Sequence, residues 1–294
     1  MKGAAVTGRP ILVIDSCSDL TAAIVDTLDV HELHFPFSIA GEDREDDFGR
    51  TFPHVAFYNA MREGSEPTTA QIPRPVFEEV FRSAAEAGRT AIYLGFTSGL
   101  SGTFDSAFLT RQAVLEEYPE ADIRLVDTFS ASIAEGLFVY EAARMLADGA
   151  SADELVSWAE ANRMRANGYF TLDNLESLKR GGRISDAAAA AGAMLDIKPI
   201  LLLDREGKLS LKRSVRGRKK SLSALMDIMA TRVETPVGTV VVGHADAPED
   251  AEKVRQMVVE RFSPAEVLML EVGPVIGAHV GPGMVAVSFW GAER

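Results

Sequence analysis

The chain has 294 residues, 47% apolar and 25% charged, which is globular composition and enough length for one large domain or two ordinary ones. Asp and Glu number 43 against 30 Lys and Arg, and the net charge of −13 argues against nucleic-acid or anionic-membrane binding driven by overall charge. A single cysteine, Cys17, excludes an intrachain disulfide and a multi-cysteine zinc site. The five histidines (His31, His34, His54, His244 and His279) lack metalloprotease spacing, and no metal site is expected. No apolar stretch reaches the ~20 residues that span a bilayer. The opening residues lack a signal-peptide core, so a reducing, cytoplasmic setting is the expectation.

The first half alternates strand and helix signals. ILVID (11–15) reads as a strand buried on both faces. LHFPFSI (33–39) reads as a second strand, with Pro36 preferring an edge or a bulge. The acidic stretch 41–50 reads as a solvated hairpin or loop. Phe77–Ala87 predicts a helix, with Phe77, Val80, Phe81 and Ala84 on one face. TAIYLGF (90–96) is a buried strand, Thr103–Tyr118 a helix, and IRLVDT (123–128) a strand followed by an alanine-rich helix to about Ala147. This repetition implies parallel pairing with right-handed crossovers.

The second half changes rhythm. Ser151–Ala166 predicts a helix with Ser151 as N-cap and Glu154 completing a capping box. Leu172–Lys179 predicts a helix ending at Gly181-Gly182, and Ile184–Leu195 another. Residues 198–204 and 208–214 flank Arg205-Glu206-Gly207, a hairpin. Lys219–Arg232 and Glu249–Arg261 read as helices, and Val237–Val242, Val267–Val272 and Met284–Phe289 as strands. The expected architecture is an α/β fold: an N-terminal doubly wound, mostly parallel domain (1–165) and a C-terminal α+β domain (166–294), with a ligand between them.

The most informative segment is Thr97-Ser98-Gly99-Leu100-Ser101-Gly102-Thr103, which follows a strand and opens a helix. Hydroxyls and glycines there suit a phosphate or a carboxylate, because a helix start offers free N–H groups and partial positive charge. The same residues also read as a plain N-cap and turn. Thr68-Thr69-Ala70-Gln71 is a second hydroxyl cluster, equally readable as an ordinary turn. His279-Val280-Gly281-Pro282-Gly283 reads as a glycine-rich loop that can bring an imidazole to a carboxylate, or as a turn with a surface histidine. Asp15-Ser16-Cys17-Ser18-Asp19 suits helix capping better than metal binding. No nucleophile elbow, Walker A sequence or dinucleotide fingerprint is present. Basic residues concentrate at Lys179, Arg180 and Arg183 and again from Lys212 to Lys220, as a solvated face or as a docking patch for an acidic partner.

Jointly these segments resemble the DegV family, the fatty-acid-binding proteins that serve as the lipid-carrying subunit of bacterial fatty acid kinase. The matching pieces are 15–20, 67–71, 97–103, Leu175 through Ile184, Ile197-Lys198-Pro199-Ile200, Val215-Arg216 with Lys219-Lys220, and 279–283, in family order along nearly the whole chain. The resemblance implies one long-chain fatty acid in a buried tunnel and no cofactor. Its carboxylate would be bound by Thr69 and Ser101, with Ser98 and His279 nearby. It implies no catalysis by this chain, but presentation of the carboxylate to an ATP-binding kinase partner that makes an acyl phosphate for phospholipid synthesis. Arg216, Lys219, Arg180 and Arg183 would then suit partner docking. Ala70 stands where the family commonly has Ser, Ile72 where Pro is common, Cys17 for a usual Thr and Thr97 for a usual Ser. About 14 methylenes at ~0.8 kcal/mol each give roughly 11 kcal/mol of gross burial, so the tail can supply affinity and the hydroxyls orientation. Two other readings use the same residues: an acyl or phosphoryl transferase with Ser101 as nucleophile and His279 as base, and an anion-binding regulatory module.

Overall fold

The computed structural model describes residues 8–184 and 196–294. Four parallel strands form the first sheet: β1 (Ile11–Asp15), β2 (Val30–Leu33), β6 (Ala91–Gly95) and β7 (Ile123–Asp127), in the order β2-β1-β6-β7. The short runs ILVID and AIYLG are buried almost throughout, as expected for central strands of a parallel sheet. The helices of this half are α1 (Ala22–Val25), α2 (His54–Arg62), α3 (Arg74–Glu86), α4 (Thr103–Glu117), α5 (Ile133–Ala147) and α6 (Ala152–Asn162). Ser151 caps α6: its hydroxyl accepts from the Glu154 N–H at 3.3 Å, and its own N–H donates to the Glu154 carboxylate at 2.8 Å.

The run 33–39 is two strands rather than one. β2 ends at Leu33, and Pro36 opens β3 (Pro36–Ile39), where a missing N–H at the first residue is tolerated. The acidic stretch supplies β4 (Glu42–Glu45), and the hydroxyl cluster supplies β5 (Thr68–Thr69); both pair antiparallel with β3 in a small sheet ordered β4-β3-β5.

The second large sheet has six strands, β10-β9-β8-β13-β11-β12, antiparallel except for the β11/β12 pair. They are β8 (Ala166–Thr171), β9 (Ile197–Leu203), β10 (Leu209–Arg216), β11 (Thr239–His244), β12 (Glu266–Glu271) and β13 (Val285–Trp290). The helix expected to reach Ala166 stops at Asn162, and β8 follows: Asn167 and Gly168 are weak strand formers, and pairing to β13 on one side and β9 on the other overrides their propensity. α7 (Glu176–Arg180) is shorter than the sequence suggests, and the helix expected over 184–195 falls, beyond Ile184, outside the described residues. α8 (Arg218–Ala230) and α9 (Pro248–Phe262) cover one face of this sheet, burying Val240, Val242, Val285, Val287 and Phe289 in strict alternation.

The other face of the six-stranded sheet receives α5. This helix is apolar on almost every side, with Leu137, Phe138 and Val139 fully buried, which is the pattern of a helix enclosed by its own protein. It packs against β8, β11 and β13 and, on its opposite side, against the short 3-10 helix Ser16–Ser18 that follows β1. A side chain at Gly136 would lie 2.4 Å from the Ser18 carbonyl oxygen, so only glycine allows this closeness. Of the loop expected over 279–283, His279 and Val280 are instead the end of a helix, α10 (Pro274–Val280), with Pro274 at its first position, while Gly281, Pro282 and Gly283 form the turn before β13.

Candidate functional site

A cavity of about 210 Å3 opens between the parallel-sheet loops, α5, α10 and the face of the six-stranded sheet. Its wall is mostly apolar, with Phe35, Phe96, Ile133, Phe170, Leu203 and Met284 among the contributors. Polar groups interrupt this wall, among them those of Thr69, Ser101, Arg183 and His279, with Gln71 and Ser132 also contributing.

Each is set by local structure. Thr69 sits in β5 opposite Phe37 of β3, and the Ala70 N–H donates to the Pro36 carbonyl at 3.1 Å, which fixes the loop that follows. Ser101 precedes α4. Its Oγ accepts from the Thr103 N–H at 3.2 Å and lies 2.9 Å from the Thr103 Oγ1, which in turn accepts from the Ile72 N–H at 3.3 Å. When Thr103 donates to Ser101, the Ser101 proton is left free for a ligand. The two loops are pressed together: a side chain at Gly102 would lie 2.5 Å from the Gln71 Oε1. The Ser101 loop is also pinned to the hairpin between β9 and β10, where Gly207 adopts φ +69° and its carbonyl accepts from the Thr97 Oγ1 at 3.0 Å.

His279 lies in the last turn of α10, and its Nε2 is 2.9 Å from the Thr69 Oγ1. Its Nδ1 is buried and has no hydrogen-bond partner among the described residues. Burial, aided by the Arg183 charge, pushes the imidazole down to about 4, so it is neutral at physiological pH and carries one N–H. Gly181 makes room for the ring: a side chain there would lie 2.2 Å from the Nδ1. The Arg183 Nη1 donates to the Gly181 carbonyl at 2.6 Å and its Nε to the Leu100 carbonyl at 3.3 Å. The guanidinium therefore ties the turn beside His279 to the loop beside Ser101. What results is a set of hydroxyls, an imidazole and one cation on an apolar wall, suited to an anionic head on an apolar body.

A family model matches residues 11–291, and it is that of the DegV family. The chain belongs to the DegV family. A DegV domain-containing protein of Clostridium perfringens is 41% identical over 285 residues, covering 97% of this chain and 98% of that one. Among solved structures, a DegV family protein from Thermus thermophilus, described for its fatty acid binding, is 30% identical with a TM-score of 0.87, covering 97% of this chain and all of that one. The fold is also shared, at 20% identity and a TM-score of 0.86, with the Streptococcus pneumoniae Fatty Acid Kinase B3 protein loaded with linoleic acid, over 97% of this chain and all of that one.

Within this DegV chain, the structure brings Thr69, Ser101 and His279 to one cavity wall but leaves Ser98 off it. Ser98 is exposed, and its N–H points to the Asp127 carboxylate at 3.3 Å. Arg183 moves the other way. The sequence groups it with docking cations, yet it lines the cavity. Arg180 is exposed and paired with Glu66 at 3.1 Å, while Arg216 and Lys219 are exposed on β10 and α8. Ala70 lines the cavity with a methyl group where the family commonly has a hydroxyl, and Ile72 is fully buried.

The sequence gives no hint of a buried acidic group below this cavity. Asp15, Asp19, Asp46 and Glu135 are all buried. Asp15 accepts from the Tyr93 hydroxyl at 2.7 Å, the Phe96 N–H at 3.0 Å and the Cys17 N–H at 3.1 Å, yet burial still pushes it up to about 6. No N–H or O–H donor among the described residues reaches the Glu135 oxygens; they face Asp15, a contact that favours a shared proton.

Proposed function

We propose that the cavity holds one long-chain fatty acid, its tail against the apolar wall and its carboxylate on Thr69, Ser101 and His279, with Arg183 beside them. The observation that carries this reading is the 2.9 Å contact between Thr69 and His279 on the wall of a mostly apolar cavity. A carboxylate buried without partners costs several kcal/mol, and Thr69, Ser101 and His279 supply partners for one on this wall. The fatty acid binding of the Thermus relative and the bound linoleic acid of the pneumococcal one support the same ligand class.

The further step is presentation of that carboxylate to an ATP-dependent kinase partner. A carboxylate oxygen attacks the γ-phosphorus of ATP, the bond to the β-phosphate oxygen breaks, and acyl phosphate and ADP result. Hydroxyls and a neutral imidazole make the direct hydrogen bonds that orient the carboxylate, and the Arg183 guanidinium, held by the Gly181 and Leu100 carbonyls, stands beside it. The exposed Arg216 and Lys219, with Arg180, suit the docking of an acidic partner surface. The likeness to the Fatty Acid Kinase B3 protein supports a kinase partner. The transferase alternative fares worse on geometry. The His279 Nδ1 finds no orienting carboxylate among the described residues, and the hydroxyl beside its Nε2 is Thr69, not Ser101.

Native mass spectrometry of gently purified protein is expected to show a bound species of lipid mass, and delipidated protein is expected to take up palmitate in calorimetry. Delipidated, folded protein that takes up no long-chain acid would end this reading.

A further inference from the structure

The strongest unassigned feature is where the buried acids meet α10. This helix gives Val275, Ile276, His279 and Val280 to the cavity wall, so its position sets the wall's shape. At its head, the Gly273 N–H donates to the Asp19 Oδ1 at 2.8 Å. Asp46 faces the Val275 N–H from β4's end, and its Oδ2 is buried without a hydrogen-bond partner among the described residues. Both carboxyls crowd one point: a side chain at Gly273 would lie 2.8 Å from the Asp46 Oδ2 and 3.1 Å from the Asp19 Oδ1. Asp19 is itself held in the left-handed region at φ 51°, and its Oδ2 accepts from the Ser132 hydroxyl at 2.5 Å. The preceding carbonyl, of Val272, accepts from the buried Tyr58 hydroxyl at 2.7 Å.

We propose that Asp19 and Asp46 are positioning residues: together they hold the head of α10 and, through this rigid helix, set where His279 meets Thr69. One short helix joins the two ends, with the Gly273 N–H on Asp19 at its start and the imidazole on the Thr69 hydroxyl in its last turn. Between them Gly277 lies so close to the Tyr58 hydroxyl that a side chain would come within 2.7 Å of it, so α10 has no slack along its length. The titratable groups facing the pair are Asp15, Cys17, Asp47, Glu135 and Tyr58, none of them a cation. Burial pushes Asp19 up to about 7 and Asp46 well above its usual range. Burial thus favours the protonated form of both carboxyls, which limits the repulsion between them at the head of α10.

The test reads the imidazole nitrogens of His279 by NMR in fatty-acid-free protein, with the exposed His31 as internal control. Asp46→Ala removes one jaw, and Gly273→Ala places a methyl against it. Both are expected to shift the His279 signals while leaving those of His31 in place, and to weaken palmitate binding about tenfold, or ~1.4 kcal/mol. Asp46→Asn keeps the shape and is neutral like the protonated carboxyl it replaces; it is expected to restore the parent signals and affinity. If Asp46→Ala does not fold, Gly273→Ala carries the test alone, since φ −74° at 273 accommodates alanine. Parent-like His279 signals in folded Gly273→Ala would overturn the proposal. The affinity readout rests on the fatty-acid reading above, whereas the imidazole signals do not. A parent protein that binds no palmitate therefore removes that reading and leaves the positioning role to be decided by NMR.

Discussion

Two buried polar regions share this core and have opposite needs. The wall at Thr69, Ser101, Arg183 and His279 is rich in donors: hydroxyl protons, an imidazole N–H and a guanidinium, with few acceptors among themselves. The region at Asp15, Asp19, Asp46 and Glu135 is rich in acceptors, several of which lack a donor. Burial acts on both in the same sense, against charge, and the outcomes differ because the groups differ. It favours the neutral imidazole at His279 and pushes the carboxyls up, Asp19 to about 7 and Asp15 to about 6. The first region is left with donors to give to an anion from outside. The second must satisfy itself with shared protons and backbone N–H groups, and so acts on the protein's own chain.

The contrast breaks most visibly if the donors are removed. Thr69→Val combined with Ser101→Ala is expected to weaken palmitate binding by about 100-fold or more, since hydrogen bonds to a charged group contribute ~1.5–3 kcal/mol each. Calorimetry on delipidated protein measures this, and unchanged affinity would place the carboxylate elsewhere.

A second measurement sharpens the acceptor side. Asp19 has an ordinary value of 3.8 and is held at about 7 in the fold, so its contribution to stability is present below 3.8 and is lost as pH rises through 7. Asp15, held at about 6, acts in the same sense. Asp19→Asn cannot titrate. The melting temperature of the variant relative to the parent is therefore expected to rise by a few degrees between about pH 5 and about pH 8. His54 and His279, both held at about 4, titrate alike in parent and variant and cancel. A difference that stays flat or falls with pH would show that Asp19 is not held protonated by the fold.

The smallest effect belongs to Ser98. Its hydroxyl lies off the cavity wall, so Ser98→Ala is expected to leave palmitate affinity within about twofold in the same calorimetric assay, the range of surface substitutions. A tenfold loss would return it to the site.

Much of this was legible in the residues themselves. The apolar runs at 11–15 and 91–95 read as buried parallel strands because central strands leave no polar face to confuse the pattern. Thr69 and Ser101 stood out because hydroxyls beside glycine and proline mark loops that approach ligands. α10 was hidden, since Pro274 and Gly277 suggest a loop and a seven-residue helix has little periodicity to display. β8 was hidden by Asn167 and Gly168, which pairing on both sides holds extended. Arg183 could not be assigned to the cavity from charge alone, because a basic residue near other basic residues looks like surface. The acid group was invisible for a more general reason. A carboxylate's spelling does not reveal its burial, and Glu135 in the first turn of α5 looks like an ordinary partner for a helix dipole.

The enclosure of α5 bears on how the molecule is made. This greasy rod is synthesised well before two of the three strands that cover it, Thr239–His244 and Val285–Trp290. At ~5–20 residues per second, translation leaves it only partly covered for roughly 7–30 s, long enough for aggregation or chaperone capture to compete with folding. The nascent N-terminal half is thus committed to waiting for its C-terminal half, and a ribosome stalled between them would release a sticky, half-sheathed intermediate.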